Sequence, residues 1–475
     1  MFLPITGVQR QVIISSCIYL GQMICGYTLS WTGPVIPKLR DLEQSPLPYL
    51  LTETQLSLVA TITYLGAIPG PYITVWLSNT KGRKPCFIFG GLCLAVSYTL
   101  MAAARNLAML YISRFLVGIA IGVIGVMNLV YIGEIARFLV GIAIGVIGVM
   151  NLVYIGEIAS TNIRGILLSA IGIFTTLGSI LMFSYGPFVS YHATTYLPLS
   201  LSLVYIFCLL WLPETPIFYI IQGKDKELIK VLTDLDRLED KDKLLENKKE
   251  ITGTNTKKEW IELISVKSNR KSLFIVVVIN VLQHCSGVLG IVFFSAAIFD
   301  MAGSSISSNI SMIVIGCFQL SGSSLTPFFI ERAGRRVILI MSSALCSLSM
   351  FILGLYFYLD HIGNSVVENV KWLPLVLLIL FYIGYDSGLG IIPNAIIGEV
   401  FTSNVRSKGS TVTMTISWMF GFMVTTAFGA LLATVGGHVA FWFFSCTCAC
   451  AVLFTIFFIP ETKGKSLMEI QESLS

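Results

Sequence analysis

The sequence predicts an all-α polytopic membrane protein built as two six-helix halves. Three observations carry that prediction. Of 475 residues, 55% are hydrophobic and 12% charged, with a mean hydropathy of +0.82 that few soluble folds tolerate. Apolar runs of about 20 residues, the length a helix needs to cross a hydrocarbon core of about 30 Å, recur along nearly the whole chain. One strongly polar stretch, 222–271, carries thirteen basic and eleven acidic residues and divides the runs into six and six.

In chain order the runs lie near 12–36, 56–77, 86–104, 108–159, 165–189, 196–213, 272–299, 307–330, 337–359, 373–398, 409–434 and 439–459. The first has full spanning length and no small-residue cleavage pattern behind a short core, so it is expected to stay as a signal anchor. The halves are accordingly 1–213 and 272–475, joined by a cytosolic linker at 214–271. Within the linker, KELIKVLTDLDRLEDKDKLL and KKEWIELISVKSNRK have the periodicity of short interfacial or cytosolic helices. With a cytosolic N-terminus and twelve net crossings, 25 of the 31 Lys and Arg residues fall on the cytosolic side. Loop topology therefore accounts for the net charge of +5 without an acidic partner. The eleven cysteines lie almost wholly inside the apolar runs, where thiols behave as small hydrophobes. Neither a structural disulfide nor a metal site is expected.

The fourth run is too long, because RFLVGIAIGVIGVMNLVYIGEIA at Arg114–Ala136 recurs letter for letter at Arg137–Ala159. Each copy is one crossing, about 35 Å as a helix. If both crossed, 21 basic residues from Arg164 onward would change sides. Charge topology therefore requires an even number of crossings, and one copy alone serves as the fourth helix. The second copy is expected there, since it leads directly into Ser160-Thr161-Asn162-Ile163-Arg164 and keeps Glu157 seven residues before Arg164. Two identical units do not make a solenoid. Perfect identity points to a recent duplication or an error in the assembled gene.

The halves repeat one another's signals. Asn79-Thr80-Lys81-Gly82-Arg83-Lys84 follows the second run and Glu331-Arg332-Ala333-Gly334-Arg335-Arg336 follows the eighth. Glu157 precedes Arg164 after the fourth run, as Glu399 precedes Arg406 after the tenth. A parallel repeat about an axis along the membrane normal puts these groups on one face. Glycine turns that carry cations can reach carboxylates at neighbouring helix ends. Arg83, Lys84, Glu157, Arg164, Glu331, Arg335, Arg336, Glu399 and Arg406 are therefore read as a gating latch that closes and releases as the halves rock.

KGRK at 81–84, RFLVG at 114 or 137, GEIASTNIRG at 156–165, PETP at 213–216, Gln283 with Ser286-Gly287, ERAGRR at 331–336, GEVFTSNVR at 398–406 and PETKGKSLMEIQ at 460–471 are the motifs that carry a family resemblance. Together they resemble the sugar porter family of the major facilitator superfamily, over the entire chain. The opening GQMICGYTLSWTGPVIPKL looks most similar to its arthropod facilitated trehalose and glucose transporters. The resemblance implies the major facilitator fold with a duplicated fourth-helix segment, a central solute site, and alternating access. It implies facilitative transport of a sugar, trehalose or a hexose, by a multi-pass protein of the plasma membrane with both termini cytosolic.

Carried over position by position, the resemblance places the solute contacts at Gln283, His284, Gln319, Asp386, Asn394 and Trp418. Amides suit vicinal hydroxyls because one side chain both donates and accepts. Asp386, an ionisable group in an apolar run, is expected to line the solute cavity. The chain also departs from the family pattern: Leu289, Ser417 and Gly421 replace asparagines, Ile391 and Asn394 replace a hinge proline and a stacking tryptophan, and Asn79 replaces a loop acid. Thr28 stands where proton-coupled members carry an aspartate, so uncoupled flux is expected. Phe293 and Phe294 are expected to pack rather than to bind. The expected partners are a small sugar and the lipid bilayer, with no cofactor, metal or nucleic acid. No nucleophile constellation or cofactor loop indicates an enzyme. Two other readings stay open: a nutrient sensor without flux, and a transporter of a different small polar solute.

Overall fold

A computed structural model describes residues 7–140, 161–214, 218–219, 222–234, 256–301, 303, 307–401, 405–434 and 437–461. Its helices follow the apolar runs in order. The first span is broken into Gly7–Ser30 and Thr32–Leu39, and the second, Glu53–Ala67, continues as Gly70–Lys81. Spans three to six are Arg83–Ala102, Leu107–Val140, Thr161–Tyr185 and Tyr191–Trp211. In the second half, span seven is Lys267–Cys285 with Val288–Phe293, followed by Ser308–Ala333 and Arg335–His361. Span ten is Leu373–Gly384 with Ile392–Val400, and the last two are Arg406–Thr434 and Gly437–Phe458. Among the described residues, nine helices are long and apolar enough to cross a membrane, and no strand occurs.

One apolar core lies within the first half, around Ile24, Trp31, Tyr98, Val117 and Tyr205; the other lies around Leu339, Leu378, Phe381, Phe441 and Cys448 of the second half and takes in Ile36, Ala60, Tyr64 and Phe183 of the first. Helices in lipid gain little from burying apolar surface against one another, so close backbone contact at small residues decides which of them pair. Spans two and four meet this way: a Cβ at Gly66 would sit 2.0 Å from the Phe115 carbonyl oxygen, and one at Gly118 2.0 Å from that of Thr63. Between the halves, Gly33 lies against Val292 and Ser295, and Gly429 against Ser57 and Phe294. Phe294 also packs on Phe428, with ring centroids 5.8 Å apart, as expected of a packing residue.

The first copy of the duplicated segment, not the second, fills the fourth position. Arg114, Val117, Ala120, Ile121, Val123 and Ile124 are all buried there. Leu107–Ser113 precedes only the first copy; it starts the helix about two turns before Arg114 and brings Gly118 opposite Gly66. The expectation that Arg137–Ala159 occupies this place is thereby corrected. The helix runs on into Arg137–Val140, while residues 141–160, including Glu157, lie outside the described residues.

Deleting Arg137–Ala159 joins Ala136 to Ser160 and leaves Glu134 seven residues before Arg164. The shortened chain is expected to reach the membrane in at least the amount of the full chain and to take up substrate at least as fast. Surface labelling with radiolabelled uptake checks this; loss of surface protein on deletion contradicts it.

Candidate functional site

The polar residues concentrate where span ten fails as an α-helix. Tyr385–Leu389, which includes Asp386, winds as a π-turn between Leu373–Gly384 and Ile392–Val400. A break at membrane depth leaves backbone carbonyls without helical donors, and Pro393 withdraws a further N–H. Span seven repairs it: Gln283 Nε2 donates to the Gly390 carbonyl at 2.8 Å, and Asn280 Nδ2 to the Pro393 carbonyl at 3.3 Å. The Tyr385 hydroxyl stands beside the same Gln283 amide. Across spans eight and ten the Gln319 side chain stands beside the Asp386 carboxyl. Gly322 lets the two helices approach there; a Cβ on it would sit 3.4 Å from Asp386 Cβ.

An aromatic side is assembled from both halves. The buried Tyr64 ring of span two lies 5.5 Å from Trp418 of span eleven and 5.8 Å from Phe293 of span seven. His284 meets Trp418 edge-on at 5.5 Å, and its Nδ1–H donates to the Asn280 carbonyl at 2.9 Å. The missing asparagine at Gly421 has a steric reason: a Cβ there would sit 2.9 Å from Tyr64 Cε1 and 3.2 Å from His284 Cδ2. Tyr64 and His284 fill the volume an amide would need. Buried Trp418 Nε1, Ser417 Oγ and Asn280 Oδ1 meet no hydrogen-bond partner among the described residues. His284 and Trp418 thus come together, Gln283 engages span ten instead, and Gln319 stands beside Asp386. Asn394 is half-buried in the first turn of Ile392–Val400, with no hydrogen bond to the cluster among the described residues.

Sequence reasoning passed over Tyr64 and Arg114. Arg114 is fully buried in span four; its Nε donates to the Val59 carbonyl at 3.1 Å and its Nη1 to the Thr28 carbonyl at 3.5 Å. Its guanidinium lies 5.2 Å from the Trp31 ring, so carbonyls and an aromatic face offset the charge. Thr28 donates its hydroxyl to the Ile24 carbonyl at 2.7 Å and contacts the Tyr98 hydroxyl at 2.6 Å. Among the described residues no carboxylate lies within ion-pair distance of Arg114. An arginine inside an apolar run was the available signal.

At the linker-side ends, Gly82 (φ 101°) and Gly334 (φ 88°) take backbone conformations open to glycine and turn spans two and eight into three and nine. The amides beyond them are capped by carboxylates of the PET motifs. Glu214 accepts from the Arg83 and Lys84 N–H groups at 3.0 and 3.1 Å, and Glu461 from those of Arg335 and Arg336 at 3.1 and 3.2 Å. Carboxylates here also meet the positive end of the helix dipole. Lys84 Nζ donates to the Leu210 and Leu212 carbonyls, both at 2.8 Å, and the Arg336 guanidinium to the Ile456 carbonyl. Each half therefore clips its third helix to its sixth by one device. Of the predicted latch, Arg83, Lys84, Arg335 and Arg336 take part in these clips. Glu157 lies outside the described residues, as do the side chains of Arg164, Glu331, Glu399 and Arg406.

Two helical halves, a broken tenth helix with polar and aromatic groups beside it, and a clip repeated in each half define a membrane transporter of the major facilitator type. The sequence profile of the "Sugar (and other) transporter" family matches residues 9–137 and 135–474, and the chain belongs to this family. The two matches meet at the junction of the duplicated copies, so each takes in one copy.

The chain is 27% identical over 469 residues to the facilitated trehalose transporter Tret1 of Drosophila virilis, covering 98% of this chain and 48% of that one. It is 26% identical over 476 residues to Tret1 of Polypedilum vanderplanki, covering 98% and 88%. The chain thus spans about half the length of the first relative. In fold it is similar to the inward-open xylose transporter XylE of E. coli, with a TM-score of 0.74, 18% identity and coverage of 98% and 99%.

Replacing Glu214 or Glu461 by alanine removes two charge-assisted hydrogen bonds, each worth about 1.5–3 kcal/mol. Each variant is expected to lower the thermal midpoint of the purified protein, and the double variant to add the two losses, since the clips share no partner. An unchanged midpoint in both single variants contradicts the clip. Gly421→Asn is expected to cut uptake roughly tenfold through overpacking against Tyr64, and adding Tyr64→Ala to restore part of it.

Proposed function

We propose that this protein is a facilitator that carries a small sugar, trehalose or a hexose, across the plasma membrane by alternating access and without proton coupling. The observation that carries this reading is the cluster between the halves. Tyr64 of the first half meets Trp418 and Phe293 of the second, beside His284. Trp418 Nε1, Ser417 Oγ and Asn280 Oδ1 are left for hydroxyls to satisfy. A buried polar atom without a partner costs about 1–3 kcal/mol, which a polyhydroxylated solute would relieve. Its C–H faces suit the Tyr64 and Trp418 rings. Gln319, Asp386 and Asn394 extend the polar side of the path.

Membership in a sugar transporter family and similarity to facilitated trehalose transporters support the substrate class. Thr28 beside Arg114 supports uncoupled flux, because no carboxylate stands there to carry a proton. Residues 1–213 and 272–475 act as the moving bodies, with 214–271 as a cytosolic linker and both termini cytosolic. Arg164, Glu331, Glu399 and Arg406, with one acid at the end of helix four, Glu157 or its repeat equivalent Glu134, latch the cytosolic gate beside the Glu214 and Glu461 clips. The mechanism involves binding and rocking only; no bond of the solute is broken.

Uptake into proteoliposomes, competed with hexoses, disaccharides, polyols and organic ions, tests the reading. Sugars are expected to compete and ions not to. Trp418→Phe, which removes the indole donor and part of the ring surface, is expected to raise KM about tenfold or more, the loss of at least roughly 1.4 kcal/mol. Saturable sugar binding with no flux would make the protein a sensor, and competition by ions alone would overturn the substrate class.

A further inference from the structure

Two of the four histidines meet on neighbouring helices at the end of the second half remote from the Glu461 clip. His361 closes span nine and His438 stands in the first turn of span twelve. Their ring centroids are 5.3 Å apart, with planes at 30°. His361 is exposed and His438 half-buried. The His438 ring is fixed by Tyr358 and Trp442, each with its centroid 5.8 Å away, and these two rings lie 5.5 Å from one another. Deeper in the membrane the same two helices are tied by reciprocal bonds, Ser347 Oγ to the Ser445 carbonyl at 2.9 Å and Ser445 Oγ to the Ser347 carbonyl at 2.8 Å. His438 Nδ1 is buried without a partner, and no hydrogen bond to another described group engages either imidazole.

We propose that His361 and His438 together bind one divalent transition-metal ion from the aqueous side, with water completing its coordination. Imidazole nitrogens bind Zn²⁺ at about 2.0–2.1 Å, and the ring centre lies about 1.1 Å further, so two such ligands at the tetrahedral angle hold their centroids about 5.2 Å apart. The observed 5.3 Å already has that spacing. Imidazole is a ligand suited to Zn²⁺, Cu²⁺ and Ni²⁺ and poorly suited to Mg²⁺ or Ca²⁺. Tyr358 and Trp442 orient the His438 ring before the ion arrives, which lowers the ordering cost of binding. Among the described residues no group of three or more ligating side chains forms, so the ion keeps open positions and exchanges with solution. Bound, it ties the outer end of span nine to that of span twelve within one half.

Zn²⁺ titration of the purified full-length protein in nanodiscs, followed by calorimetry and by thermal midpoint, tests the site. The wild type is expected to bind one ion lost on chelation and to gain thermal stability from it. H361Q and H438Q are each expected to weaken that binding at least tenfold and to abolish the gain, and the double variant to do no more than either alone. Unchanged binding in the double variant, or loss in only one single variant, overturns the proposal. If H438Q fails to fold, the exposed H361Q decides alone, and unchanged binding in it is the overturning result.

Discussion

The amides of Gln283 and Asn280 make the broken tenth helix possible. Lipid offers the backbone no hydrogen bonds, so an interrupted span persists only where protein supplies them. The bonds to the Gly390 and Pro393 carbonyls do this, and they tie span seven to span ten at the level of the candidate site. Because of them the π-turn can present Tyr385 and Asp386, and Asp386 can reach Gln319 of span eight. Gln283 therefore holds its neighbour's backbone, and in the proposed function it also offers polarity to a solute. Leucine at this position would cost the fold, because the Gly390 carbonyl would lose its donor.

The strengths of contacts are distributed as a rocking protein needs them. Within each half, a carboxylate accepts two backbone N–H groups and a cationic side chain ties the sixth helix, which sums to several kcal/mol per clip. Among the described residues, contacts between halves include aromatic pairs such as Tyr64 with Trp418, worth about 0.5–1.5 kcal/mol each beyond their buried area, and close glycine approaches.

Much of this was legible in the sequence, and what was not has physical causes. The twelve stations follow from run length and charge, and of the motif residues His284 and Trp418 meet. Apolarity alone cannot show where a run breaks, so the π-turn was invisible. Nothing in the sequence sets Tyr64 apart from the other aromatics of the apolar runs, and an arginine heads the RFLVG motif in both copies of the repeat, of which Arg114 in the first is buried in span four. Glu214 and Glu461 stood in quoted motifs, but their partners lie more than 120 residues away and only the fold joins them. The two copies are identical, so no residue inside them could say which one crosses. The deciding signal was Leu107–Ser113, which starts the helix before the first copy alone.

Buried Arg114 donates to the Thr28 carbonyl and meets no carboxylate among the described residues, and threonine at 28 carries the proposal of uncoupled flux. The direct measurement is the steady-state ratio of labelled sugar inside to outside proteoliposomes under an imposed inward proton gradient. The account predicts a ratio of about one at any gradient, because a facilitator only equalises concentrations. Accumulation that rises with the gradient and collapses with a proton ionophore would contradict it.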